Sequence, residues 1–124
     1  MRYVLFVPAI ACFLFGLALA CTKTSADKLN PPGGCDTLHV TYSQDVLPIL
    51  KAYCYTCHAG ENTVFSNGIS LEKIDFLKFW GDTGYLLGNI THASGYVGMP
   101  YGKPKLPDCE VNKIIAWVNQ KYPE

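Results

Sequence analysis

Arginine is all but missing from this chain. Arg2 is the only one among ten basic residues, and ten acidic residues bring the formal net charge to zero. A nucleic-acid binder draws affinity from clustered Lys and Arg that neutralise phosphates, so this balance removes the electrostatic case for that class. Methionine is nearly as scarce, with Met1 and Met99 alone. No stretch alternates apolar and polar residues convincingly at period two, which leaves no candidate strand. There is no internal repeat. Disorder is excluded by composition, since 49% of residues are hydrophobic and 13% aromatic. At 124 residues the chain amounts to one domain.

What is present begins with an apolar run. Met1-Arg2 carries the only early charge, Val4 to Ala20 is apolar apart from Pro8 and Gly16, and the run closes on small residues. A basic start, an apolar middle and a small-residue close predict a secretory signal over residues 1–20. Leu17-Ala18-Leu19-Ala20-Cys21 resembles a bacterial lipoprotein lipobox, although Ala18 stands where that family prefers Leu. The resemblance implies that Cys21 is lipidated and becomes the new N-terminus. An ordinary cleaved signal and an uncleaved anchor of marginal length are the alternatives. All three place the rest of the chain outside the cytoplasm. Residues 21–34 are small, polar and punctuated by Pro and Gly, which predicts a flexible tether. The folded domain is then 35–124. At that size an apolar core alone leaves little margin, and a covalent staple or a large cofactor is expected.

Within the domain the spacing predicts helices and loops. Val46, Ile49, Leu50 and Tyr53 recur at helical spacing in a helix ending at Cys54. Ser43 or Asp45 can cap it, and Pro48 argues for a start near Asp45, because Pro is tolerable only in a first turn. Residues 59–70 are expected to be a loop. Leu71 to Trp80 reads as a weaker helix, with Ile74, Leu77 and Phe79 facing inward and Gly81 ending it. Tyr85 to Ile90 is a short helix or turn. Residues 93–107 hold three Gly and three Pro and are expected to be irregular. Asp108 to Gln120 is the clearest helix, with Val111, Ile114, Ile115 and Val118 on one face. The fold class is all-α with long loops, which make sense in so small a domain if they wrap something that is not protein.

Cys54-Tyr55-Thr56-Cys57-His58 is a C-x-x-C-H pentapeptide at the end of the first predicted helix. It resembles the haem attachment site of c-type cytochromes. Two thiols three residues apart can each add across one of the two vinyl groups of a haem, and the next residue offers an imidazole to the iron. A C-x-x-C can instead be a thiol-disulfide site, but that wants a βαβ context. It can be half a zinc site, but two more paired ligands would be needed.

The whole domain resembles the small mono-haem c-type cytochromes of exported bacterial lipoproteins, over residues 35 to about 121. The marks are the Asp45-to-Leu50 helix running into Cys54, the haem-type pentapeptide, the Gly98-Met99-Pro100 loop, and a closing helix with Ile114, Trp117 and Val118. The resemblance implies a cytochrome c-like fold wrapped around one covalent haem c. It implies that Met99 is the second axial iron ligand opposite His58, with His92 as runner-up and His39 a more distant third, read as structural. It also implies that the first and last helices cross with Trp117 nearby. Without Arg, the haem propionates are left to Lys103, Lys105, Tyr or Trp groups, or water.

With Cys12 inside the expected signal, Cys21 assigned to lipid and Cys54 and Cys57 to haem, Cys35 and Cys109 remain. An exported protein most simply pairs them, the alternative being two free thiols. The expected function is one-electron transfer by a His/Met-ligated haem, not enzymatic catalysis. Phe65, Phe76, Phe79, Trp80 and Trp117 are expected to form an apolar wall around the ring. The alternative is a haem-based peroxidase or gas sensor with a labile Met99, for which His92 would have to serve as the distal group. Expected partners are redox proteins of the cell envelope and, through the lipid, a membrane; the protein is expected to be a periplasmic-side monomer with no nucleic-acid partner. The Asn89-Ile90-Thr91 sequon is taken as chance.

Overall fold

The computed structural model describes residues 34–124. The expected signal, Cys21 and the tether up to residue 33 lie outside the described residues. Cys35–Glu124 is one compact unit, and no strand occurs among the described residues. The fold class is all-α.

The first helical segment starts earlier than its Pro suggests. The cap is Thr41, not Ser43 or Asp45. Its Oγ1 accepts from the Gln44 N–H at 3.3 Å, and the Asp45 carboxylate accepts in return from the Thr41 N–H at 3.0 Å. This reciprocal capping satisfies two otherwise orphaned donors. The segment opens as a π-turn, Tyr42–Val46, and continues as helix α1, Leu47–Tyr53. The wide first turn leaves Pro48, which has no N–H to give, in the first turn of the regular helix.

Helix α2, Tyr55–His58, follows at once through Cys54. The expected loop after it contains a 3-10 helix, Gly60–Ser66. Hydroxyls knit this turn: Thr63 Oγ1 donates to the Gly60 carbonyl at 3.2 Å, at the three-residue spacing of a 3-10 repeat. Asn67, in the left-handed region at φ 55°, ends it. Helix α3 is Ile74–Asp82, so it starts later and runs further than expected. Gly81 lies inside it rather than ending it. A Cβ there would stand 2.8 Å from the Tyr122 hydroxyl, so the glycine makes room for the C-terminal tail. Helix α4, Tyr85–Ile90, and helix α5, Asp108–Asn119, match expectation, and the intervening segment 93–107 is irregular.

The core sits where the first and last helices meet. Val46, Ile49 and Leu50 are buried on one side and Val111, Ile114, Trp117 and Val118 on the other. The π-turn packs on α5, and so do α3 and α4. Lys113 Nζ reaches Asp45 Oδ1 at 2.9 Å across this crossing. Partial burial works to raise the Asp45 carboxyl, but hydrogen bonds from Thr41 and Lys113 outweigh it and hold the pKa below the usual carboxylate value. Trp117 is fully buried, and its Nε1–H donates to the Pro123 carbonyl at 2.9 Å. The Tyr42 N–H donates to the same carbonyl, so the tail ties both ends of the crossing. Cys35 and Cys109 form a disulfide, Cα to Cα 5.3 Å, which fixes the start of the domain to the first turn of α5.

Candidate haem-binding cavity

Residues of α1 to α4, together with the irregular segment, line an open cavity of about 1480 Å³. Ordinary small-molecule pockets occupy roughly 300–1,000 Å³, so this space suits a large flat ligand. Cys54, Cys57 and His58 line one part of it, and Met99 and Pro100 another. The remaining wall is mainly apolar, with Phe65 from the 3-10 helix, Phe79 and Trp80 from α3, and Leu86 and Ile90 from α4.

The apolar wall differs from expectation at two residues. Trp117 does not line the cavity; its burial and its bond to Pro123 commit it to the helix crossing. Phe76 lines a smaller neighbouring cavity of about 370 Å³, which shares Asn67, Ile69 and Trp80 with the larger one. Three residues along α3 from Phe79, Phe76 falls just outside the larger space.

The pentapeptide is held by its own backbone. Cys57 and His58 N–H groups both donate to the Cys54 carbonyl, at 3.1 and 2.9 Å, which closes one tight turn around the two thiols. The His58 ring is fixed as well. Its Nδ1 lies 3.0 Å from the Ile69 carbonyl. A carbonyl can only accept, so Nδ1 carries the proton and Nε2 keeps its lone pair. This is how proteins set a metal-ligating imidazole: a second-shell acceptor fixes tautomer and ring angle. Ser66 Oγ lies 2.8 Å from the same carbonyl.

Cys54 and Cys57 form no disulfide among the described residues. Burial pushes the Cys54 thiol up to about 11. A catalytic thiol-disulfide site needs the opposite shift, because the thiolate is the nucleophile. Among the described residues no group of three or more His, Cys, Asp or Glu side chains comes together, so the pentapeptide has no partners for a zinc site. The donor set is two thiols, one oriented imidazole and one thioether. By its chemistry that set fits a haem c, for which Cys54 and Cys57 would be the covalent attachment points and His58 and Met99 the iron ligands.

His92 and His39 do not line the cavity. His92 Nε2 is engaged with the Met99 carbonyl at 3.0 Å, and His39 is exposed near the start of the domain. Both candidate propionate partners, Lys103 and Lys105, do line it, and none of the lining residues among those described is acidic. Lys105 also meets Asp108 at 2.9 Å. Sequence reasoning missed the Ile69 carbonyl, Ser66, Asn89 and Tyr101 as parts of this site. The first is a backbone atom and carries no sequence signal. The others are common loop and helix residues whose types point to no chemistry. No helix among the described residues is long and apolar enough to cross a membrane.

Comparison with protein-family models, curated proteins and solved structures finds no match for this chain.

Proposed function

We propose that this chain is a one-electron carrier of the c-type cytochrome kind, exported and lipid-tethered in a bacterial cell envelope. The observation that carries the reading is that Cys54, Cys57, His58 and Met99 all line one cavity, with the His58 ring already turned by the Ile69 carbonyl. Haem bound there supplies an Fe(III)/Fe(II) couple.

The residues divide the work. Cys54 and Cys57 would hold the haem covalently: each thiol would add S–H across one vinyl C=C, sulfur to one carbon and hydrogen to the other, with nothing lost and no oxidant needed. His58 would hold the iron through Nε2 while its Nδ1–H stays on the Ile69 carbonyl. Met99 would hold it through the thioether, a soft ligand that favours the ferrous state and raises the potential. An iron held by both residues would serve electron transfer rather than substrate binding. Phe79, Trp80, Leu86 and Ile90 keep water from the ring and favour the less charged ferrous form. Lys103 and Lys105, the cationic residues on the lining, supply partners for the two propionates in place of Arg.

The tether reading rests on the sequence of residues 1–34. A lipid on Cys21 and a flexible stretch beyond it would let the domain swing among redox proteins of the same membrane, raising its effective concentration near them. Without the signal and its Arg2, nine Lys stand against ten acidic residues, and this near balance gives little long-range steering, so these contacts are weak and short-lived.

A redox titration of the purified holoprotein, with spectra recorded throughout, tests the reading. A single one-electron transition, with a thioether–iron band in the near red of the oxidised form, is expected. A high-spin oxidised spectrum would contradict it and point to an open iron position.

A further inference from the structure

Helix α4 ends in an arrangement that leads directly to Met99. The Ala93 N–H donates to the Gly88 carbonyl at 3.0 Å and the His92 N–H to the Asn89 carbonyl at 3.3 Å. This is the paired bonding of a Schellman motif, whose left-handed residue is usually Gly, or Asn. Here His92 takes that place at φ 56°. A non-glycine residue meets a steric penalty in that region, and such strain persists only where surrounding contacts fix it.

Those contacts are with the methionine loop. The His92 ring folds back over Gly98, where an added Cβ would stand 3.1 Å from its Nδ1. Its Nε2 then lies 3.0 Å from the Met99 carbonyl. The carbonyl can only accept, so Nε2–H is the donor. On the other side of the same residue, the Met99 N–H donates to the Asn89 carbonyl at 2.9 Å. Met99 is therefore gripped at both its N–H and its C=O by the last turn and cap of α4. The loop on either side of it is rich in Gly and Pro and has no regular structure.

We propose that His92 is a positioning residue for the axial methionine: its side chain, with the Asn89 carbonyl, fixes the Met99 backbone so that the thioether stays on the iron. The proposal rests on the haem reading above. It also gives His92 a role other than that of a rival ligand. Gly98 belongs to the same device, because only a residue without Cβ lets the ring close over the loop without pushing it.

The test compares the holoprotein with H92N and H92Q. Asn tolerates the left-handed backbone but is too short to reach the Met99 carbonyl, whereas Gln keeps an N–H donor with more reach. In H92N the hydrogen exchange of the Met99 amide should rise about tenfold, the equivalent of one net hydrogen bond. The affinity of the oxidised protein for added imidazole should rise by a similar factor, and the near-red thioether–iron band should weaken. H92Q should restore much of all three. A merely structural role would lower thermal stability without moving the band or the imidazole affinity. Unchanged Met99 exchange in H92N would overturn the grip itself. Faster exchange with unaltered band and imidazole affinity would overturn its role toward the iron. A chain carrying no haem would overturn that role together with the electron-carrier reading. G98A, which crowds the ring from the other side, should move the same observables in the same direction as H92N.

Discussion

The Cys35–Cys109 disulfide offers a perturbation whose size follows from the chain itself. The two residues are 74 apart in sequence, so the bond closes almost the whole domain into one loop. In the chain-entropy account, a loop of that length stabilises the folded state by about 4 kcal/mol. For a domain of about 90 residues, each kcal/mol moves the melting temperature by about 4–8 °C. The double variant C35S/C109S should therefore melt roughly 15–30 °C lower, toward the smaller figure if the unfolded chain is already compact. The local contacts left behind are modest. Val40 is buried in the core, but the stretch before it is tied chiefly by one bond, Gln120 Nε2 to the Thr37 carbonyl at 2.8 Å. Neither cysteine lines the cavity, so the visible spectrum should not change. Circular dichroism melts of the holoprotein and the double variant, with spectra of each, measure both effects. A drop of only one or two degrees would refute the stapling argument. A large change in the spectrum would refute the separation of staple from cavity.

Other expected outcomes follow from the same geometry. On the proposed haem attachment, M99A should keep its haem, because the thioether bonds would lie at Cys54 and Cys57, but its midpoint potential should fall and it should bind added imidazole; potentiometry and ligand titration measure this. C57A or H58A should instead reduce the yield of holoprotein, which absorbance per polypeptide reads directly. Asp45 is held below its unfolded pKa by Thr41 and Lys113, so its contribution is present above about pH 4 and is lost as pH falls through the lower folded value. Denaturant melts of D45N should show a loss of about 1–3 kcal/mol at pH 6 that narrows well below pH 4. A pH-independent difference would remove Asp45 as its source.

Much of the helical pattern was legible because it rests on periodicity. Val111, Ile114 and Val118 mark the last helix, and Tyr85–Ile90 was expected as a short helix or turn. The starts and stops were harder. Pro48 pointed to a helix start at Asp45, but a wide opening turn moves the cap back to Thr41. Gly81 resembles a helix stop, yet its missing Cβ serves Tyr122, which is 41 residues away in sequence. Residues 60–66 lack an apolar stripe, and short i to i+3 bonds among Thr and Ser form a helix that periodicity does not detect. Cys54, Cys57, His58 and Met99 stand out in the sequence because their side-chain chemistry is unusual, and the structure places all four on one cavity. Backbone acceptors such as the Ile69 and Asn89 carbonyls have no residue type to betray them. For that reason His92 read as a possible iron ligand, whereas its imidazole holds the Met99 carbonyl. Trp117 read as cavity wall because an aromatic near the end of a chain can serve either face of its helix; only the tail's Pro123 carbonyl decides which.

The central claim is that a haem is bonded to the sulfurs of Cys54 and Cys57. The most direct test is the intact mass of the protein purified from a host able to attach haem c, measured under denaturing conditions. The account predicts a mass exceeding that of the polypeptide by one haem, with colour that stays with the protein through acid–acetone extraction. A colourless protein of bare polypeptide mass, or a pigment that leaves in the acetone, would contradict it.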